Sequence, residues 1–142
     1  MTKKEQIIQS IYNALSAIKE SEYFDLFRNK EIDYEFIEKH RLVNIKDGSY
    51  DVIETVLSPR IDTIEQTIVL ELYIQKQEEQ DINTQLDEFE ELIISTALSG
   101  GELSELVRDI TVKYSPNNIL EPENGLQIKK AEIDIVVVFD DV

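Results

Sequence analysis

Apolar residues return every three or four positions at the start of the chain. Ile7, Ile8, Ile11, Ala14, Leu15 and Ile18 share one face of a 3.6-residue repeat. This predicts a helix from about Lys3 to Lys19. Thr2 and Glu5 are spaced as a capping box, in which each side chain satisfies an amide left free by the first turn. A helix with one apolar stripe has to dock it on another layer, most simply a sheet. Each large residue so buried contributes about 1.5–3 kcal/mol before ordering entropy is subtracted.

The next stretch, residues 20–40, is rich in aromatic and aliphatic positions among mixed charges: Tyr23, Phe24, Leu26, Phe27, Tyr34, Phe36 and Ile37. It reads as a short helix, a turn and the start of a strand. Two extended runs follow, Arg41–Ile45 and Tyr50–Leu57, the second ending near Ser58-Pro59. Asp47-Gly48 between them is a turn signal. From Thr63 to Gln75 the alternation is regular. Ile64, Ile68, Leu70, Leu72 and Ile74 fall on one side, and Glu65, Thr67, Val69, Glu71, Tyr73 and Gln75 on the other, the pattern of a half-buried strand.

A second helical period runs from about Thr84 to Leu98, with Asn83 or Thr84 as its cap. Leu86, Phe89, Ile93 and Ala97 form the apolar stripe, and Asp87, Glu88, Glu91 and Ser95 lie opposite. Gly100-Gly101 supplies a helix exit. A turn of helix at Leu103–Leu106 and a strand at Asp109–Tyr114 come next. Ser115-Pro116-Asn117-Asn118 and Glu121-Pro122-Glu123-Asn124-Gly125 are breaks. The final strand, about Leu126 to Asp140, is nearly apolar on both faces in its middle, as an interior strand would be. The order helix, three strands, helix, two strands predicts an α+β fold. Its sheet is mainly antiparallel or mixed, with the two long helices packed on one face.

Composition narrows the function classes. The 142 residues, 42% hydrophobic with four Gly and three Pro, suit a single domain spanning 1–142. The absence of Cys excludes disulfides, thiolate nucleophiles and sulfur-ligated zinc. The spaced apolar residues after Met1 do not form a signal-peptide core. No window approaches the roughly 20 apolar residues of a membrane span. Both observations lead to the expectation of a cytoplasmic protein without membrane contact. The net charge of −16 repels nucleic acid and anionic lipid, so direct nucleic-acid binding is not expected, although DNA mimics share this balance. Lys76 to Asp109 holds ten acids against two bases, a balance of −8. Such a surface serves solubility alone, or it stays clear of DNA, or it meets a basic partner.

No residue set is singled out for catalysis, for a cofactor or for a metal, and an enzyme is not expected. The one histidine, His40, lies in Glu38-Lys39-His40-Arg41 and reads as exposed. Without Cys or a second His, a metal site would have to be built from oxygens. Glu78-Glu79, Glu90-Glu91 and Asp140-Asp141 are candidate carboxylate pairs for Mg²⁺ or Ca²⁺. None has the spacing of a calcium loop, and solvated acidic surface is the simpler reading. No phosphate-cradling glycine loop or nucleophile elbow occurs.

In its layout the chain resembles the small tail-terminator and tail-completion proteins of tailed bacteriophages and phage-derived particles, the minor tail protein U type. The layout consists of the Ile7–Ile18 helix, long strands around Arg41–Gln75, the Thr84–Leu98 helix closed by Gly100-Gly101, and a last strand ending Val137-Val138-Phe139-Asp140. The resemblance implies a non-enzymatic virion-assembly protein without cofactor. Such a protein forms a homo-oligomeric ring, generally a hexamer, that caps the tail tube and offers the joining surface to the head or neck. The implied partners are further copies of itself, the tail tube protein and a head or neck connector protein. The implied locations are the host cytoplasm during assembly and the virion tail afterwards. Asp87, Glu88 and Glu91 would then face the lumen or a partner, where negative charge keeps passing phosphates from sticking within a screening distance of about 8 Å. A second reading is an acidic inhibitor or immunity-type protein that blocks a basic nucleic-acid enzyme by steered association. A carboxylate-only metal hydrolase is a third.

Overall fold

The computed structural model describes residues 2–32, 39–76, 81–99, 101–115, 118–120 and 127–141. The first helix, α1, is Lys3–Ser16. The Thr2 hydroxyl accepts from the Glu5 amide at 3.2 Å, as a cap should. The reciprocal half of the capping box is not made, because the Glu5 carboxylate turns to Arg28 instead. The helix stops short of Lys19 because its end tightens: Ile18 N–H donates to Leu15 O at 3.2 Å.

Four-residue β1, Asp25–Arg28, lies within the aromatic segment. It is followed by β2, Arg41–Val56, and β3, Ile61–Gln75. Helix α2 is Ile82–Ser99 and the short α3 is Gly101–Leu106. The Asp81 carboxylate, rather than Asn83 or Thr84, caps α2, accepting from the Asn83 amide at 3.0 Å. Strands β4, Asp109–Tyr114, β5, Asn118–Leu120, and β6, Ile128–Asp141, complete the fold. The expected turns at 116–117 and 121–125, with Gly100, lie outside the described residues.

The strands form one mixed sheet in the order β1-β2-β3-β6-β4, with β5 also on β6. Among the described residues only β1 and β2 are parallel. β6 pairs with β3 from Ile128 to Asp141, so β4 and β5 share its other edge. The α+β class with a mixed sheet is thus the observed one. One apolar cluster takes Ile7, Ile8, Ile11 and Leu15 from α1, and Leu86, Phe89, Ile93 and Ala97 from α2. They meet Ile64–Ile74 of β3 and Ala131–Phe139 of β6. Both long helices therefore cover the same face. Phe24 and Phe89 meet edge to face at its centre, 5.7 Å between ring centroids. Among the described residues no helix is long and apolar enough to cross a membrane.

One sequence expectation fails here. Asp47-Gly48 is not a hairpin turn. β2 runs through it unbroken, with a shift of register between Asp47 and Tyr50. The hairpin turn comes later, at residues 57–60. Glycine is required at 48 by close approach, because a Cβ there would lie 2.5 Å from the Thr67 carbonyl oxygen on the neighbouring strand. The irregular pairing lets the two backbones come this near. Gly48→Ala should therefore cost about 2 kcal/mol, since backbone and not a side chain has to give way. Urea unfolding of the variant measures it, and a loss within 0.5 kcal/mol (about the ordinary surface value) would contradict the reading.

Candidate interaction surface

β1 pairs β2 only from Leu42 to Ile45. Past β1, Asn29 still covers the edge as far as Asp47, whose amide donates to Asn29 Oδ1 at 2.9 Å while Arg28 stands 3.2 Å from its carboxylate. From Gly48 onward the outer edge of β2 has no neighbouring strand among the described residues, and every residue from Lys46 to Val56 is exposed. An unpaired edge presents a row of free amide and carbonyl groups. This one also carries apolar side chains. Tyr50, Val52, Ile53 and Val56 are exposed, and Leu57 at the tip is 73% exposed. A second shift of register falls between Val52 and Glu54. At the far side of the sheet β4 has no outer neighbour among the described residues, and it is alternately exposed and half-buried, with Tyr114 62% exposed. The sequence shows why these edges are legible only in part. Val52 and Ile53 look like core residues in a linear pattern, yet they are 54% and 53% exposed.

The acids singled out from the sequence, Asp87, Glu88 and Glu91, are all exposed on α2. They do not form one cluster. Asp87 and Glu91 line a groove of about 370 Å³ together with Glu90, Ile94, Ser95 and Tyr114. Burial and the neighbouring Asp87 charge push the Glu90 carboxyl up. Glu88 belongs to a different cavity, about 590 Å³, with Glu22, Tyr23, Lys39, His40 and Arg41.

His40 is not the exposed side chain its charged neighbours suggest. It is half-buried, adopts a left-handed backbone (φ 65°), and its carbonyl accepts from the Gln75 amide at 2.8 Å. Its Nδ1 is buried without a hydrogen-bond partner among the described residues. Beside it, Arg41 donates to the Glu22 carbonyl and lies 4.8 Å from the centroid of the Phe89 ring. Burial pulls the Arg41 guanidinium below its ordinary value, against the Glu22 charge. The described flanking charges, Lys39 and Arg41, are both tied down. Lys39, for example, stands 3.8 Å from Asp25.

The most buried charge is Glu71, on the sheet face away from the helices and 4% exposed. Asn44 Nδ2 donates to its Oε1 at 3.0 Å, and Lys130 Nζ stands 2.8 Å and Lys46 Nζ 3.6 Å from its Oε2. Asn44 also exchanges hydrogen bonds with the Lys30 backbone, at 2.8 and 3.2 Å. Burial alone would push the Glu71 carboxyl up. The hydrogen bonds from Lys130 and Asn44, with the charges of Lys130 and Lys46, outweigh that and hold it below its ordinary value. The group pins the segment after β1 to the sheet.

As for metals, Asp140 accepts from Thr63 Oγ1 at 2.9 Å and faces Arg108 at 3.6 Å, while Asp141 is exposed. Glu78 and Glu79 lie outside the described residues. Among the described residues no three His, Cys, Asp or Glu side chains are grouped to hold a metal ion. No protein-family model matches the chain, and the curated proteins contain no match to it.

Proposed function

We propose that this protein is a structural assembly protein of a phage or phage-derived particle: a tail terminator that closes into a ring on the end of the tail tube and presents the joining surface to the head or neck. The observation that carries the reading is the bare, apolar flank of β2 from Lys46 to Leu57. A soluble monomer has reason to blunt such an edge, and a ring subunit has reason to keep it. The acidic face of α2 at Asp87, Glu88 and Glu91 fits a surface beside passing DNA. The same acids support the second reading, an inhibitor of a basic nucleic-acid enzyme, but that reading gives no role to the apolar edge.

Charge sets the conditions. Each copy carries −16, and gathering several copies is opposed by self-repulsion that salt and divalent cations relieve. The expected result is a monomer at low salt and a growing ring population as NaCl or Mg²⁺ rises, with closure promoted by purified tail tubes. Sedimentation velocity across a salt series, with and without tubes, measures this. A protein that stays monomeric throughout, ignores tube ends and binds a basic nuclease tightly would transfer the case to the inhibitor.

A further inference from the structure

Two open edges at opposite ends of one sheet are half of a joint each. We propose that neighbouring copies join by strand addition, the β4 edge of one copy pairing with the Gly48–Val56 edge of β2 in the next. This inference rests on the ring reading above and names its contact surface. Successive pairs β2–β3, β3–β6 and β6–β4 are all antiparallel, so β4 runs opposite to β2. A second copy set beside the first in the same orientation therefore presents its β2 antiparallel to β4, and the sheet continues without inversion. The contact is heterologous, the kind that closes into rings.

Charge selects this joint over the symmetric ones. Pairing two β2 edges leaves Lys113 of both copies without an acidic partner. Pairing two β4 edges leaves the apolar flank of β2 uncovered. Across the heterologous joint the unpaired charges are opposite. Asp51 and Glu54 on β2, and Lys113 on β4, each lack an ion-pair partner among the described residues.

Charge also fixes the register. Following the pairs across the sheet, Lys113 is level with Asp134, Val69 and Lys46, and Asp109 with Val138, Glu65 and Asp51. Joining the copies without offset would oppose Lys113 to Lys46 and Asp109 to Asp51, two like-charge pairs. Sliding the neighbour about five residues brings Lys113 to Asp51 and lays Val112 beside Val52. A constant offset at every joint tilts the strands, as any closed sheet requires. A joint made by the six residues of β4 covers a few hundred Å², well under the roughly 800 Å² per partner of a standard interface. Each joint is weak, and closure, which gives every copy two, makes the ring hold.

The native chain has no Cys, so introduced thiols report cleanly. The double variant Asp51→Cys, Lys113→Cys, treated with a bis-maleimide spanning about one cross-strand pair under ring-forming salt, should give a ladder of covalent oligomers. Either single variant should stop at background dimer, and Lys46→Cys, Lys113→Cys, the unshifted register, should give no ladder. Circular dichroism confirms that each variant is folded before linking. In a second arm without linker, Lys113→Glu should raise the concentration needed for assembly about five-fold, the effect of losing one exposed ion pair. Asp51→Lys added to it should restore the native value. Rings in sedimentation without a ladder from the 51/113 pair would overturn the joint and leave the ring reading standing. No oligomer under any condition would overturn both.

Discussion

Replacing Phe89 by Ala should lower the unfolding free energy by about 4 kcal/mol, the usual toll for emptying a buried aromatic site. Phe89 is fully buried on the inner stripe of α2. Its ring has two specific neighbours, the edge of Phe24 at 5.7 Å and the Arg41 guanidinium at 4.8 Å. Phe24 leads into β1 and Arg41 opens β2, so the one ring ties α2 to the segment before β1 and to the sheet. Truncation leaves a void that none of the three can fill without moving a backbone. Phe89→Leu keeps most of the volume and should cost about 1.5 kcal/mol. Urea unfolding followed by circular dichroism gives both numbers. Equal losses for Ala and Leu, or an Ala loss below about 1 kcal/mol, would show that the site collapses and that the ring is not the tie described.

Glu71 carries the second large effect. Glu71→Ala should cost about 3 kcal/mol at neutral pH, because it removes an acceptor from the buried Asn44 amide and the shorter of two carboxylate contacts from the half-buried Lys130, which keeps only Glu132 at 3.1 Å. Lys46 is half exposed and adds little. The pH dependence has a definite sign. The folded carboxyl lies below its ordinary value of 4.5, so the stability it confers is fully present above about pH 4.5 and is lost as pH falls through the lower, folded value. Wild type should therefore lose stability steeply on acidification, and Glu71→Gln should show a shallower acid limb. The gap between the two should narrow toward pH 3. Parallel acid limbs would remove Glu71 from the account.

The hydrophobic pattern carried the main elements and failed where a local signal had two meanings. Ile7–Ile18 and Leu86–Ala97 each show one stripe, and both docked on one face as the stripes demand. Asp47-Gly48 has the composition of a turn and also that of a strand irregularity. What decided between them was the approach of Thr67, a residue nearly twenty positions away, which no local pattern contains. β1 escaped as a distinct strand because four residues give no period, and its parallel pairing to β2 is a tertiary event. The candidate surface was half legible. The acids of α2 were placed outside correctly by the helical period. The bare flank of β2 was not, because Val52 and Ile53 have the composition of core residues and nothing local marks them as exposed. Glu71 looked like one more polar residue on a solvated face, since the segment that covers it is distant in sequence.

β6 is flanked on both sides, by β3 and by β4, and it is the last of the described elements in chain order. Ile64 waits for Phe139 and Leu70 for Ile133, pairings that span more than sixty residues. During translation α1, the β2–β3 hairpin and α2 are all out of the ribosome while one edge of β3 still stands empty. The strand that fills it also carries β4 into place, and with it the second open edge. Under the proposed joint, the β4 half is in place only once β6 has paired with β3. Completion of the sheet is thus a late, long-range event in folding.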